Sequence, residues 1–283
     1  MSQFSTLQHA ADGLSAGLPP LMVEADHLAA SVSLGVHGRR RGGMGESFWQ
    51  FRRYASPDSS SAIDWRQSAK SQHIFVRERE WEAAQTVWFW RDASANMDFK
   101  SGAASKRARA DLLLLALASL LVRGGERVGF VGMDGAPAAS RLSLTRMGRA
   151  MFARGDEALP PQAPFARGNQ LVWFSDFLDE GVFETMKQLS HRGLEGHLVR
   201  IIDPAEEDFP YSGRTRFESP RGEADEIFGR AERVRGAYRA RFTAHGERVA
   251  QAAARLGWTC TVHRIDHTPQ GSLIALHAAI GGV

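Results

Sequence analysis

The chain has 283 residues, 43% of them hydrophobic and 24% charged, with a formal net charge of +3. That balance is the one of a folded globular protein; it excludes a disordered chain, and the small basic surplus does not by itself imply a nucleic-acid partner. A single cysteine, Cys260, excludes an internal disulfide and fits a reducing compartment. The longest apolar run, Leu112 to Val122, falls short of the roughly 20 residues that cross a bilayer. No basic start followed by an apolar stretch marks a secretory signal. A cytoplasmic protein with no membrane segment is expected.

Residues 1 to 17 show no period and read as frayed. Pro19-Pro20 opens a helix that Gly35 ends, and Gly38 to Gly45 is a glycine-rich basic loop. Phe48 to Tyr54 and His73 to Arg79 have strand content on either side of a Pro/Ser turn, so residues 1–84 form an extension of one helix and a small β-rich segment. Residues 85–283 form the main domain. There Thr86 to Trp90 is a buried strand, and Ser105 to Arg123 is a helix apolar almost all round, hence buried. Strands follow at Arg127 to Met133, Asn169 to Ser175, His197 to Ile202 and Thr259 to Ile265. Ser140 to Leu144 reads as a short edge strand and Arg214 to Glu218 as another small one. Helices are expected from Thr145 to Arg154, Gly181 to Arg192 and Glu223 to Leu256. Strand alternating with helix predicts an α/β fold with a doubly wound, mostly parallel sheet, preceded by the β-containing extension.

In such a sheet, ligands collect outside the carboxyl ends of the strands. The first central strand ends there in Asp92-Ala93-Ser94-Ala95-Asn96, and a later one in Ser175-Asp176. Hard oxygen ligands of this kind suit the octahedral shell of Mg2+ or Mn2+. The D-x-S-x-N spacing resembles the D-x-S-x-S metal-dependent adhesion motif (MIDAS) of von Willebrand factor type A domains, a Rossmann-like fold in which the cation captures a partner's carboxylate. The resemblance implies a metal set of Asp92, Ser94, Asn96, Thr145 and Asp176. Asn96 departs from the motif's second serine, and the alternative use of Asp92 is as a turn former or helix cap.

A second resemblance spans Gly38 to Ile265. Arg52-Arg53-Tyr54, Ile63-Asp64-Trp65 and Asp203-Pro204-Ala205-Glu206 are similar to landmarks of the bacterial family called domain of unknown function 58 (DUF58). The family's G-D-D turn is here S-P-D-S-S-S, leaving Asp58. Arg52, Asp58, Asp64 and Arg66 are read as an ion-pair network that fastens the extension, or alternatively as a recognition surface. The family resemblance implies a MoxR-type AAA+ ATPase and a client protein as partners, in protein assembly or chaperoning. Longer members carry membrane helices that this chain lacks, so a soluble version is expected.

The function that follows is a non-enzymatic protein-interaction module. A metal-dependent hydrolase drawing on Asp134 or Asp179, or a metal-free structural scaffold, is the alternative. No G-x-x-x-x-G-K-[ST], H-E-x-x-H or G-x-S-x-G occurs, and His263 with His267 lies at a strand end. Arg39 to Arg41 beside Phe48, Trp49, Phe51 and Tyr54 reads as a solvated loop next to a strand, and no nucleic-acid partner is expected.

Overall fold

The computed structural model describes residues 18–33, 48–55, 58–60, 63–79, 84–153, 155–220, 222 and 225–281. The frayed segment, the stop at Gly35 and the loop Gly38–Gly45 lie outside them. The chain divides into two compact units, one of residues His37–Ala84 and one that joins the N-terminal helix to Gln85 onward.

The smaller unit pairs β1 (Phe48–Arg53) antiparallel with β2 (Phe75–Arg79), around a one-turn helix α2 (Trp65–Ser68). The family-like motifs build this unit. Ile63 bridges Val76, the Asp64 amide donates to the Phe75 carbonyl (2.9 Å), and the Asp64 carboxylate caps α2 through the Gln67 amide (2.9 Å). Asp58 accepts from the Ala55 amide (2.8 Å), and Arg66 is exposed. The side chain of Arg52, the remaining member of the expected network, lies outside the described residues.

The larger unit is built on β3 (Thr86–Arg91), whose β-branched and aromatic residues are buried from Val87 onward. Parallel strands β4 (Arg127–Phe130) and β5 (Gln170–Ser175) flank it, followed by β6 (Glu195–Ile202) and β9 (Thr259–Arg264), giving the order β4-β3-β5-β6-β9. The fold is therefore α/β with a parallel five-stranded sheet. Winding reverses between β3 and β5. Since crossovers between neighbouring parallel strands are right-handed, α3 (Lys106–Arg123), between β3 and β4, lies on one face, and α5 (Val182–His191) and α7 (Arg235–Arg255), between β5 and β6 and between β6 and β9, lie on the other.

Helix α3 is buried almost throughout because it is covered on both sides, by the sheet and by other helices. α8 (Pro269–Ile280) and α4 (Arg141–Ala153) pack against it, and in α1 (18–33) Asp26 accepts from Ser119 (2.6 Å). α1 thus belongs with the main unit, although it precedes the small one in sequence.

Three elements differ from expectation. Ser140 to Leu144 is not a strand: Ser140 accepts from the Ser143 amide (3.2 Å) and so starts α4 at Arg141, and the sheet edge shrinks to a single Val128–Ala138 bridge. The long helix starts at Arg235, because Glu226–Phe228 (β8) pairs with Thr215–Phe217 (β7), and Phe209, Tyr211, Phe217 and Tyr238 interlock beside them. The closing α8 has a start signal, Thr268-Pro269, that periodicity alone does not pick out.

β6 approaches β9 closely at Gly196, where a Cβ would lie 2.0 Å from the Trp258 ring, whose indole N–H donates to the Leu194 carbonyl (3.0 Å). Gly196→Ala should therefore destabilise the protein by about 1–3 kcal/mol, read by urea unfolding, through overpacking. Unchanged stability would mean that Trp258 moves freely.

Candidate functional site at the sheet switch point

The reversal between β3 and β5 places Asp92 and Asp176 side by side, as the strand-end logic requires. The Asp92 amide donates to the Phe174 carbonyl (2.9 Å), joining the two strand ends. Asp92 accepts from the Ser94 amide (2.8 Å) on one oxygen and from the Ser175 hydroxyl (2.7 Å) on the other. Both aspartates are buried. The Ser94 hydroxyl is buried without a satisfactory hydrogen bond, and it faces the Asp92 carboxyl.

The centre of the site is a residue that the motifs do not include. Lys106, the first residue of α3, is fully buried, and its ammonium donates to Asp176 (2.9 Å) and to Glu206 (2.6 Å). Glu206 is held by its own helix, α6 (Pro204–Asp208): Asp203 caps α6, and the second Glu206 oxygen accepts from the Asp203 amide (2.9 Å). Ser101 donates to Asp203 through its amide (2.8 Å), so the segment leading into α3 is tied to the same helix. Arg107, next on α3, donates to the carbonyls of Ala93 (3.0 Å) and Ser94 (3.1 Å) and to Asp98 (2.8 Å), which fixes the loop after β3. Below, Arg91 pairs with Asp111 (2.8 Å) and donates to the Met151 carbonyl (2.9 Å), so β3, α3 and α4 share one ionic contact.

The electrostatics follow from one buried ammonium between the buried Asp176 and the half-buried Glu206, with Asp92 beside Asp176. Burial lowers the Lys106 pKa, but Asp176 and Glu206 more than offset it, and the ammonium is held above the ordinary lysine value. Burial and the neighbouring Asp176 charge push Asp92 up, and burial pushes Glu206 up despite Lys106. Burial, followed by the Glu206 charge, takes the Tyr238 phenol up to about 12.

The residues expected to hold a metal are only partly brought together. Asp92, Ser94 and Asp176 converge. Asn96 lies in a single 3-10 turn (Ala95–Asp98), and Thr145 is not at a helix start but one turn inside α4, its hydroxyl directed to the Arg141 carbonyl (3.4 Å). Among the described residues no group of three or more His, Cys, Asp or Glu is arranged to hold an ion. A resident Mg2+ or Mn2+ does not fit this donor set as it stands, because the Lys106 ammonium is bonded to an Asp176 oxygen and already supplies the positive charge there. Of the two carboxylates considered for hydrolysis, Asp134 is exposed in the turn after β4 and Asp179 accepts from the Gly181 amide (2.9 Å). His263 is engaged with Ser272 (2.7 Å).

Lys106 carries a sequence signal. A helix N-terminus is the positive end of its dipole and disfavours cations, yet α3 opens Lys-Arg-Ala-Arg with no acid in its first turn. Cations there need carboxylates from elsewhere, and Asp176 and Glu206 supply them.

Lys106→Met leaves the buried Asp176 and the half-buried Glu206 without their cation, which should cost about 3–5 kcal/mol at neutral pH. The sign of the pH effect follows from linkage. Lys106, raised in the folded state, stabilises at every pH below the lysine range. Glu206 and Asp92, also raised, favour folding more as pH falls towards the carboxylate range. Without the ammonium Glu206 rises further, so the deficit of Lys106→Met should narrow between about pH 7.5 and about pH 5 in urea unfolding. A deficit that widens over that interval would contradict this arrangement.

Three comparisons bear on relationship. Residues 50–248 match the family described as protein of unknown function DUF58. Uncharacterized proteins of Mycobacterium tuberculosis (strain H37Rv) and Mycobacterium bovis are each 27% identical over 200 residues, covering 63% of this chain and 62% of theirs, so less than two thirds of the relatives' length is spanned. Among solved structures, a conserved hypothetical protein BatB of Bacteroides thetaiotaomicron superposes with a TM-score of 0.40 at 14% identity, over 70% of this chain and 98% of that one. An aerotolerance-related membrane protein of Bacteroides fragilis gives a TM-score of 0.41 at 16% identity, over 71% and 100%. No helix among the described residues is long and apolar enough to cross a membrane. With its Ile-Asp-Trp run in the small unit, its Asp-Pro-Ala-Glu run in α6 and the family match over most of its length, the chain belongs to the DUF58 family.

Proposed function

We propose that this chain is a non-enzymatic protein-interaction module whose strand-end cluster is held by its own lysine and works without a metal ion. The observation that carries this reading is the Lys106 ammonium bonded between Asp176 and Glu206, where a divalent cation would otherwise be expected. A site that captures a partner through a metal needs an open coordination position on the ion. Here the positive charge is supplied by a side chain whose donors are turned inward, so the cluster serves to hold its loops in place for contact. The reading of a MoxR-type AAA+ ATPase as partner, in protein assembly or chaperoning, rests on the family resemblance.

Thermal unfolding separates this reading from a metal-bridged one. A resident ion present at one hundred times its dissociation constant adds about 2.7 kcal/mol to stability. The wild type should show no such gain with Mg2+ or Mn2+ over chelator. Lys106→Ala, which vacates the space between Asp176 and Glu206, should be destabilised and should gain stability from either ion. Metal-dependent stabilisation of the wild type would refute the proposal. Capture of a purified MoxR-type ATPase should be equal in chelator and in magnesium with the nucleotide omitted, and absence of capture in both would remove the ATPase as partner.

A further inference from the structure

A groove of about 500 Å3 runs between α5 and α7, away from the Lys106 cluster. Its floor is apolar: Met186 is buried, and Phe183, Ala252 and Leu256 are half-buried. Its rim is cationic, formed by the exposed Lys187, Arg248 and Arg255. Arg248 and Arg255 have no carboxylate partner among the described residues, and the nearest carboxylate to Lys187 is the exposed Glu184 at 3.9 Å, a pair of little energetic weight. The helix itself is unbalanced, since α7 carries five arginines and one glutamate.

A further cation, Arg200, lies against α7. Arg200 on β6 is buried, its guanidinium lies 4.4 Å from the Phe242 ring, and its Nε has no hydrogen-bond partner. It fits there because position 246 is glycine; a Cβ would lie 2.2 Å from its Nη1. The rim is also wired to the switch point. Arg248 donates to His245 Nδ1 (3.2 Å), and His245 Nε2 donates to the carbonyl of Phe177 (2.9 Å), the residue after Asp176, whose φ of 59° is left-handed.

We propose that this groove captures an acidic amphipathic segment of a partner protein, with apolar side chains on the floor and Asp or Glu against Arg248, Arg255 and Lys187. Charge complementarity selects the sign of the partner. The shape selects its class: the apolar floor is recessed between two helices behind long cationic side chains, where a protruding side chain enters and a flat lipid surface does not. A phosphate backbone would meet the cations but leave the floor unfilled.

The test uses fluorescence anisotropy with the whole chain and three labelled helical peptides, alike in their leucine stripe and flanked by glutamate, glutamine or lysine. The glutamate peptide should bind best, and less tightly as salt is raised. The double variant Arg248→Glu with Arg255→Glu, two exposed positions, should weaken it about tenfold or more and should bind the lysine peptide instead. Circular dichroism of the variant confirms that it is folded. Equal binding of the glutamate and glutamine peptides, glutamate-peptide binding unchanged in the double variant, or no binding at about millimolar protein would overturn the proposal. So would arginine-dependent sedimentation with phosphatidylglycerol vesicles in the absence of peptide binding.

Discussion

An ammonium removed from water needs acceptors for its protons and opposite charge for its own, and Lys106 finds both in Asp176 and Glu206. Those two residues come from the end of β5 and from α6, and the lysine comes from the start of α3. One buried cation therefore fixes three chain segments at the point where the sheet reverses its winding. Arg107 extends the same grip to the loop after β3, and Ser101 extends it to the cap of α6. Removing the cation leaves the buried Asp176 and the half-buried Glu206 facing one another without a counter-charge.

This arrangement gives the family landmarks physical roles. The Asp-Pro-Ala-Glu run is a capping box whose glutamate divides its oxygens between its own helix start and Lys106. The Ile-Asp-Trp run bridges a strand and caps a helix within the smaller unit. Outside these landmarks, Gly246, a poor helix former in the middle of α7, leaves space for the Arg200 guanidinium. In each case the residue type is set by a hydrogen-bond or steric requirement of the fold.

Much of the fold was legible because its signals are local. β3 and β5 are short runs of β-branched and aromatic residues, and α3 is apolar on every side, so each declares itself without reference to the rest of the chain. The adjacency of Asp92 and Asp176 follows from the switch-point rule. Lys106 and Glu206 are different: they lie one hundred residues apart, and no local pattern joins them. The available hint was a violation, cations at the positive end of a helix, whose resolution needs the tertiary fold. Thr145 falls inside α4 and not at its start because Ser140 caps α4 earlier than the apolar pattern suggests, and α7 is shorter than its composition suggests because the β7–β8 pairing interrupts it.

The most direct measurement is a double-mutant cycle for Lys106→Met and Asp176→Asn in urea unfolding at neutral pH. A shared ionic contact at the centre of the switch point predicts that the two losses are strongly non-additive, with a favourable coupling of about 1–3 kcal/mol. Additive losses would mean that the ammonium and the carboxylate do not hold one another, and the account of a built-in cation would fail.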